Sequence, residues 1–283
     1  FYTEGARHQT SFYGQLAAER AGVPPDPRLA GKEVFESWRT SPFLRSSVLQ
    51  AALLLRAAGD TDLSARFFAH LSESLERDEI GRLLSMILDL GEPYAAVIVG
   101  KRAARAGHEL VPGYFPLTRL TEVPLSVPPE LALAIARRES EFRHQRISPA
   151  GARGLMQLMP RTARAMAREL GVDYSEARLL DDWAYNARLG SAYLAHLVDE
   201  FGGNVVLVAA AYNAGPSRVR AWMKEQGDPR APGVDPIDWI EKVPFPETRN
   251  YIMRVAESLA IYRAQLRGQV VPFRLSSELK AGR

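Results

Sequence analysis

Apolar residues recur along this chain mostly at spacings of three and four, which is the pattern of amphipathic helices. In the first 112 residues the pattern predicts helices over 9–21, 32–38, 43–58, 61–75, 82–90 and 93–106. Gly59 and Gly91, which separate members of these pairs, are 32 residues apart, close to the period of helix-turn-helix repeats. The pattern therefore predicts a superhelical N-terminal region. Its functional interpretation is a curved scaffold that braces the rest of the chain or delivers substrate to it, and the alternative is a plain helical bundle without contact to substrate.

Proline and glycine divide the chain into segments. Residues 1–112 are predicted as a paired-helix superhelical or linker domain, and the proline-rich residues 113–127 as an extended connector. Residues 128–268 are predicted as a second helical domain with a variable lobe at 215–244, and residues 269–283 as a loosely held tail. In the second domain the periodicity predicts helices over 129–142, 162–170, 184–201, 205–213 and 247–266. The predicted fold class is all-α throughout.

One acidic residue lies on an apolar helix face. Within residues 129–142, Leu131, Ile135, Glu139 and Phe142 are spaced four, four and three residues apart, which places them on one face. Burial disfavours the charged form of a carboxyl group and therefore raises its pKa. Glu139 is a candidate proton donor at neutral pH. The alternative is a glutamate that reaches the rim of a buried face or pairs with an arginine.

The amino-acid composition excludes several classes of functional site. The 283 residues are 46% hydrophobic and 24% charged, which is typical of a globular protein large enough for two domains. No cysteine is present, which excludes disulfides, thiol nucleophiles and zinc–thiolate sites. The five histidines are far apart in sequence, so no metal site is predicted. The chain opens on Phe1 without an initiator methionine, and we expect a mature or truncated segment.

Charge is distributed unevenly although the net charge is only +3. Residues 131–170 contain eight arginines and three glutamates. Such an excess suits an anionic polymer or surface, but solvated helix faces are the simpler interpretation, and no interleaved aromatic residues indicate a nucleic-acid site. Glu141 is predicted to point away from Glu139, near Arg137 and Arg138.

Four short motifs follow one another between residues 128 and 266. They are Glu139-Ser140, Ser148 to Pro160 (SPAGARGLMQLMP), Ala211 to Pro216 (AYNAGP) and Pro246 to Tyr251 (PETRNY). Together they resemble the four successive motifs of the soluble lytic transglycosylases. The Ser11–Gly14 segment and the helical first half resemble the linker region that precedes the catalytic domain in large members of this family. Most of the family's ring-forming helical superdomain would lie further N-terminal, so we expect a fragment or a shortened relative.

The resemblance implies a lysozyme-like, mainly helical catalytic domain in the periplasm. It implies cleavage of the β-1,4 bond between N-acetylmuramic acid and N-acetylglucosamine of peptidoglycan without water, which leaves 1,6-anhydro ends. Glu139 would act first as general acid and then as base. Most glycosidases use two flanking carboxylates, whereas these motifs contain one well-placed acid. The alternatives are a hydrolytic muramidase or chitinase on the same fold, and a non-catalytic glycan-binding scaffold.

The resemblance also assigns substrate-binding residues. These are Ser148, Gln157, Met159, Tyr212, Asn213, Glu247 and Tyr251. Ser148 has an alternative as a turn serine, Asn213 as a helix-end residue, and Glu247 as an acid favoured by the helix dipole. Glu247 is interpreted as substrate-binding rather than as a second catalytic acid. Met156 and Leu158 are predicted to be core residues.

Peptidoglycan glycan strands are thus the expected partner, and no nucleic acid is expected. Proton transfers between a carboxyl group and sugar oxygens need no cofactor, and none is predicted. We predict a monomer, with protein partners left open.

Overall fold

The computed structural model describes residues 1–282, and helices account for nearly all of its regular structure. Within this range no β-strand forms, and only two isolated bridges join Ile147 to Arg153 and Arg153 to Leu158. The all-α prediction is confirmed. No helix among the described residues is both long and apolar enough to span a membrane.

Seven helices make up the first part of the chain. They are α1 (Tyr2–Gly5), α2 (Phe12–Ala21), α3 (Ser47–Ala57), α4 (Thr61–Ser72), α5 (Arg77–Asp89), α6 (Pro93–Arg105) and α7 (Val111–Tyr114). α3 pairs with α4 and α5 pairs with α6, around a core that includes Phe68, Leu83 and Ile87. Gly59 and Gly91 adopt φ of 83° and 73° between the paired helices, a region that favours glycine.

The helix expected over residues 32–38 does not form. Instead, a short 3₁₀ turn covers Trp38–Thr40, and the Ser37 side chain accepts a hydrogen bond from the Arg39 amide at its start. Phe35 packs directly on Gly81 of α5, where even a Cβ atom would lie 2.4 Å from the Phe35 ring. Tertiary packing of one aromatic residue therefore outweighs a short helical pattern, since isolated helices of this length are unstable.

Nine helices follow. They are α8 (Pro129–Ser140), α9 (Pro160–Glu169), α10 (Arg178–Asp181), α11 (Trp183–Glu200), α12 (Val205–Ala214), α13 (Pro216–Gln226), α14 (Pro236–Lys242), α15 (Pro246–Arg267) and α16 (Leu275–Lys280). Residues 205–211 of α12 are all buried, as their uniform apolar sequence predicts. α15 packs against α12 on one side and α8 on the other, which brings the ends of these helices together.

Two segments are more ordered than the sequence pattern indicates. The connector 113–127 is not uniformly extended, because a 3₁₀ turn forms at Arg119–Glu122 with Thr118 as its cap. The tail forms α16, whose Leu279 is fully buried and whose Leu279 carbonyl accepts a hydrogen bond from Asn204 at 2.8 Å. Both elements are too short for a periodic signal and are stabilised by tertiary contacts. The domain limits at residues 112, 127 and 268 stay predictions.

α2 is attached to α15 through a buried carboxylate. Glu257 is 1% exposed, and its Oε2 accepts a hydrogen bond from the Phe12 amide at 2.8 Å. The Gln15 side chain donates to the Glu257 carbonyl at 2.9 Å, and Arg254 pairs with the Glu257 carboxylate at 2.9 Å. Phe12 and Leu16 belong to the same hydrophobic core as α8, α12 and α15. This contact holds the N-terminal segment against the helix that carries part of the candidate site.

Glu257→Ala is expected to lower the free energy of unfolding by about 3 kcal/mol, because it leaves a buried amide and an arginine without their partner. Urea unfolding measures this loss. Glu4→Ala is the control, since Glu4 forms an exposed ion pair with Arg7 and its loss is expected to cost less than about 0.5 kcal/mol. Equal losses in the two variants would contradict an anchoring role for Glu257.

Candidate active site

α8 ends immediately after Glu139. The helix stops at Ser140, and Glu141 and Phe142 adopt left-handed backbone conformations with φ of 55° and 68°. The expected helical stripe through Phe142 is therefore wrong at its last member, although Phe142 is buried. Besides these two, Gln157 is the one non-glycine residue with positive φ within residues 1–282. Sparsely populated conformations thus concentrate at this site, which is typical of functional segments.

Glu139 is half-buried, and Tyr251 of α15 donates a hydrogen bond to its Oε1 at 2.7 Å. The pKa of Glu139 is raised to about 7, mainly by burial, and the negative charge of Glu247 acts in the same direction. The Tyr251 hydroxyl and the positive charges of Arg138 and Arg146 act in the opposite direction. Both protonation states of Glu139 are therefore accessible near neutral pH.

Two tyrosines flank this carboxyl group from different helices. Tyr251 is buried, and Tyr212 of α12 donates a hydrogen bond to the Met156 carbonyl at 2.8 Å. Burial raises the pKa of both phenols well above 10, and the Glu139 charge acts in the same direction. Both hydroxyls therefore stay protonated. Tyr212 also packs on Tyr193, with ring centroids 5.5 Å apart.

The loop between α8 and α9 uses its polar side chains to stabilise its own backbone. The Ser148 hydroxyl accepts a hydrogen bond from the Ala152 amide at 3.0 Å. The Gln157 side-chain amide donates to the carbonyls of Gly154 at 2.8 Å and Arg146 at 2.9 Å. Ser148 thus has the contacts of a turn serine, and Gln157 is 9% exposed. These bonds support the loop's shape and leave the predicted substrate contacts of both residues as predictions.

The remaining predicted residues differ in exposure. Met159 is 44% exposed at the start of α9, and Glu247 is exposed in the first turn of α15. Asn213 accepts a hydrogen bond from the Thr248 hydroxyl at 2.7 Å, which links α12 to α15. The structure therefore brings Glu139, Tyr212 and Tyr251 into one cluster. Glu247 is close enough for its negative charge to raise the pKa of Glu139.

Asn186 of α11 is a site-supporting residue that sequence reasoning missed. It is fully buried, its Oδ1 accepts from the Met156 amide at 2.8 Å, and its Nδ2 donates to the Arg153 and Leu179 carbonyls at 2.9 and 3.0 Å. Its two partners in the loop, Met156 and Arg153, lie 30 and 33 residues away in sequence, so no local spacing reveals them. The available signal is a polar residue among the apolar positions of a helix.

Buried contacts hold the loop between α8 and α9 against the core. Met156 and Leu158 are buried, which confirms them as core residues. The Ser140 hydroxyl donates to the Leu155 carbonyl at 2.6 Å, which attaches the loop to the end of α8. Among residues 1–282, no group of three or more His, Cys, Asp or Glu is arranged to hold a metal ion.

Residues 121–231 match the family model described as the transglycosylase SLT domain. This part of the chain is therefore similar to the SLT domain of the lytic transglycosylases. The soluble lytic murein transglycosylase of Escherichia coli K12 is 40% identical over 138 residues, which cover 48% of this chain and 21% of that protein. Membrane-bound lytic murein transglycosylase C of Actinobacillus pleuropneumoniae is 26% identical over 275 residues, which cover 82% of this chain and 74% of that protein.

Two solved structures extend the similarity beyond the SLT domain. The 70 kDa soluble lytic transglycosylase SLT70 of E. coli superposes with a TM-score of 0.77 at 27% identity over the whole of this chain and 44% of that chain. An inactive Glu→Gln mutant of Slt from Pseudomonas aeruginosa has a TM-score of 0.71 at 30% identity, over 96% of this chain and 44% of that chain. The chain thus spans less than half the length of these soluble relatives.

Gly154, which lies in the region that matches the SLT domain model, allows a close backbone approach behind the loop. Its φ is 80°, and a Cβ atom would lie 2.0 Å from the Leu179 carbonyl oxygen and 2.2 Å from the Asn186 Nδ2. Gly154→Ala is expected to lower the free energy of unfolding by about 4 kcal/mol, since backbone strain and a clash add together. The measurement is urea unfolding, with glycan cleavage as a second readout.

Gly151→Ala is the matched control. Its φ is 87°, but no atom of the described residues lies within 4 Å of a Cβ atom there, apart from Gly151 itself and its two chain neighbours. It therefore carries the conformational strain alone, expected at about 1–2 kcal/mol. A Gly154→Ala variant no less stable than Gly151→Ala would contradict the close approach.

Proposed function

We propose that this chain cleaves the β-1,4 bond between N-acetylmuramic acid and N-acetylglucosamine of peptidoglycan by transglycosylation, in the periplasm. The observation that carries the proposal is a single half-buried carboxyl group, Glu139, whose pKa is raised to about 7 and which accepts a hydrogen bond from Tyr251. The SLT domain and the names of its murein-cleaving relatives support this reaction class. The inactive Glu→Gln mutant of the P. aeruginosa protein supports a reaction that depends on a glutamate.

The first step would break the bond between C1 of the muramic sugar and the bridging oxygen. Protonated Glu139 gives its proton to that oxygen, and the N-acetylglucosamine strand leaves with a free hydroxyl. Positive charge that develops at C1 is stabilised by the carbonyl oxygen of the sugar's own N-acetyl group, as in substrate-assisted glycosidases. Glu139 is then a carboxylate, with Tyr251 donating to its Oε1.

The second step would close the ring and restore the enzyme. The Glu139 carboxylate accepts the proton of the muramic 6-hydroxyl, and the freed oxygen forms a bond to C1. The product is a 1,6-anhydro end, Glu139 is protonated again, and no water is consumed. A pKa near the working pH suits a group that must donate and accept in one cycle.

Substrate contacts come from the residues around Glu139 in this proposal. Exposed Met159 and Glu247 would contact the glycan directly, and Tyr212 would shape the wall of the cleft. Ser148, Gln157 and Asn213 would support the loop and helix ends that bear these contacts. Hydrolysis, the alternative reaction, needs a second carboxylate to activate a water molecule. Glu247 would take that role, because its negative charge acts on Glu139 and raises the pKa of that carboxyl group.

Mass spectrometry of muropeptides released from purified sacculi tests the proposal. Products that end in 1,6-anhydromuramic acid, each one water lighter than the reducing form, are expected. Reducing ends would replace transglycosylation with hydrolysis on the same site. Sacculi that bind the folded protein without release of any product would favour a non-catalytic glycan-binding protein.

A further inference from the structure

The segment that ends α8 is attached to the N-terminal helices by two ion pairs of opposite polarity. Glu141 pairs with Lys101 of α6, and Arg143 pairs with Asp62 of α4 at 2.5 Å. Phe142, between them, is buried in the core that α8, α12 and α15 share. Three consecutive residues are therefore held from two sides, the outer two by the first part of the chain and the middle one by the second.

Two of these three residues have a backbone conformation that needs support from their surroundings. Glu141 and Phe142 adopt φ of 55° and 68°. Left-handed conformations of non-glycine residues cost free energy and persist only where neighbouring groups fix them. Without such contacts the segment is expected to relax toward more common conformations. The side chains at positions 141 and 143 provide contacts that oppose this change.

A cavity of about 380 Å³ lies next to the segment, between the first turn of α6, the connector and the loop that follows α8. Phe142, Arg143 and His144 line it from the loop, and Tyr94 lines it from α6. The N-terminal helices therefore do not pack continuously against this loop. The link here depends on Arg143, which pairs with Asp62, while the Tyr94 hydroxyl donates to the same carboxylate at 2.8 Å.

Hydrogen bonds connect Arg143 to the candidate active site. Its amide donates to the Ser140 carbonyl at 3.0 Å, and its carbonyl accepts from the Arg146 amide at 3.2 Å. The Arg146 carbonyl in turn accepts from the Gly154 amide at 2.8 Å, and the positive charge of Arg146 acts on Glu139. A displacement of residue 143 would therefore move both the end of α8, one residue beyond Glu139, and the loop between α8 and α9.

We propose that Asp62 and Lys101 are positioning residues for Glu139, because their ion pairs fix the end of α8 and the loop that follows it. This inference rests on the proposed function, since it gives the N-terminal helices a part in cleavage at Glu139. They would act through the backbone of residues 141–146, without contact with the reacting sugar. A misplacement of a reacting group by about 1 Å can lower a rate by about a hundredfold, so even a small shift is expected to matter.

The double variant Asp62→Asn/Lys101→Met tests the proposal with solubilised peptidoglycan strands as substrate. It removes both charges, while the amide at position 62 can still accept the hydrogen bond from Tyr94. We expect kcat to fall by about tenfold to a hundredfold and KM to stay within about twofold, because the reacting groups are misplaced but the substrate contacts remain. Asp62→Asn alone, which disturbs the fold less, is expected to lower kcat by about threefold.

Native-state hydrogen exchange is a second readout that needs no substrate. Mass spectrometry of peptides that cover residues 140–158 reports on the amides of Arg143, Arg146 and Gly154. These amides are expected to exchange at least about tenfold faster in the double variant, because the segment that orders them is no longer held. Amides of α3 are the internal reference and are expected to exchange at an unchanged rate.

Two further variants separate positioning from a general loss of stability. Asp62→Glu/Lys101→Arg keeps both charges and is expected to retain kcat within about threefold. Glu33→Gln is the matched control, since Glu33 pairs with Arg77 inside the first part of the chain and its side chain is 22% exposed, as is that of Glu141. It is expected to leave kcat and the exchange of residues 140–158 unchanged.

Four results would overturn the proposal. They are unchanged exchange in the double variant, unchanged kcat despite faster exchange, an equal fall of kcat in Glu33→Gln, and a rise of KM alone, which would indicate direct substrate binding by these residues. The exchange measurement involves no glycan, and the product analysis of sacculi uses the unmodified protein. Failure of the positioning role is therefore distinguishable from failure of the proposed reaction.

Discussion

Glu139→Gln is expected to lower the turnover of sacculi by about a thousandfold or more. The amide is nearly isosteric with the carboxyl group but can neither donate its proton to the glycosidic oxygen nor accept one from the 6-hydroxyl, so both proposed steps lose their catalyst. The Tyr251 hydroxyl can still donate to the amide oxygen, and we expect the site to keep its geometry. Release of 1,6-anhydro products per unit time measures the effect.

The same variant has a stability signature that a misfolded protein would not show. The pKa of Glu139 is about 7 in the folded chain, compared with 4.5 for a glutamate exposed to water, so the folded state binds the proton more tightly and loses stability as pH rises from about 4.5 to 7. Glutamine removes this dependence. Above pH 7 the variant is expected to be more stable than the unmodified protein, by on the order of 3 kcal/mol, and near pH 4 the two are expected to be alike.

Glu130→Gln is the control for both readouts. Glu130 lies on α8 as well, pairs with Arg263, and is remote from the helix end that carries Glu139. We expect this variant to retain turnover and the pH dependence of unfolding. Near-normal turnover in Glu139→Gln, or an equal loss in Glu130→Gln, would rule out Glu139 as the catalytic acid and base.

Tyr251→Phe is expected to lower turnover by about tenfold to a hundredfold and to move its pH dependence upward. The Tyr251 hydrogen bond lowers the pKa of Glu139, because it stabilises the carboxylate. Without it the pKa lies further above 7, so the general acid stays protonated to higher pH. The carboxyl group also loses the contact that fixes its position.

The pH profile of kcat/KM separates this effect from simple damage to the site. The basic limb, where the acid loses its proton, is expected near pH 7 in the unmodified protein and at a higher pH in Tyr251→Phe. Tyr262→Phe is the matched control, since Tyr262 lies on the same helix and its buried hydroxyl has no hydrogen-bond partner among residues 1–282. A basic limb that stays in place in Tyr251→Phe would contradict the role of this hydrogen bond.

Much of the candidate site could be predicted from local sequence. The 3.6-residue periodicity identifies α8, α11, α12 and α15, and it places Glu139 on a face whose neighbours are apolar. The uniform apolar run of α12 predicts its central position, since a helix that is apolar on every side must be buried. The motif resemblance adds Tyr212 and Tyr251, which the structure brings to the same place as Glu139.

Short and irregular elements could not be predicted in the same way. α13, α14 and α16 lie in segments where proline, glycine and charge obscure any period, and they form because neighbouring helices cover their apolar faces. The end of α8 is another such case. Nothing in the composition of Glu141 and Phe142 indicates left-handed backbone conformations, which depend on the loop that follows.

By itself, the sequence determined that the chain is helical, where its long helices run and which of their faces are buried, because these properties depend on the spacing of residues within one element. Only the tertiary structure decided which helix ends meet. The hydroxyl that binds Glu139 comes from 112 residues away, and the amide that bonds Glu257 comes from 245 residues away. Such contacts depend on the packing of whole helices, and it is this packing that turns a half-buried glutamate into a group with a pKa near 7.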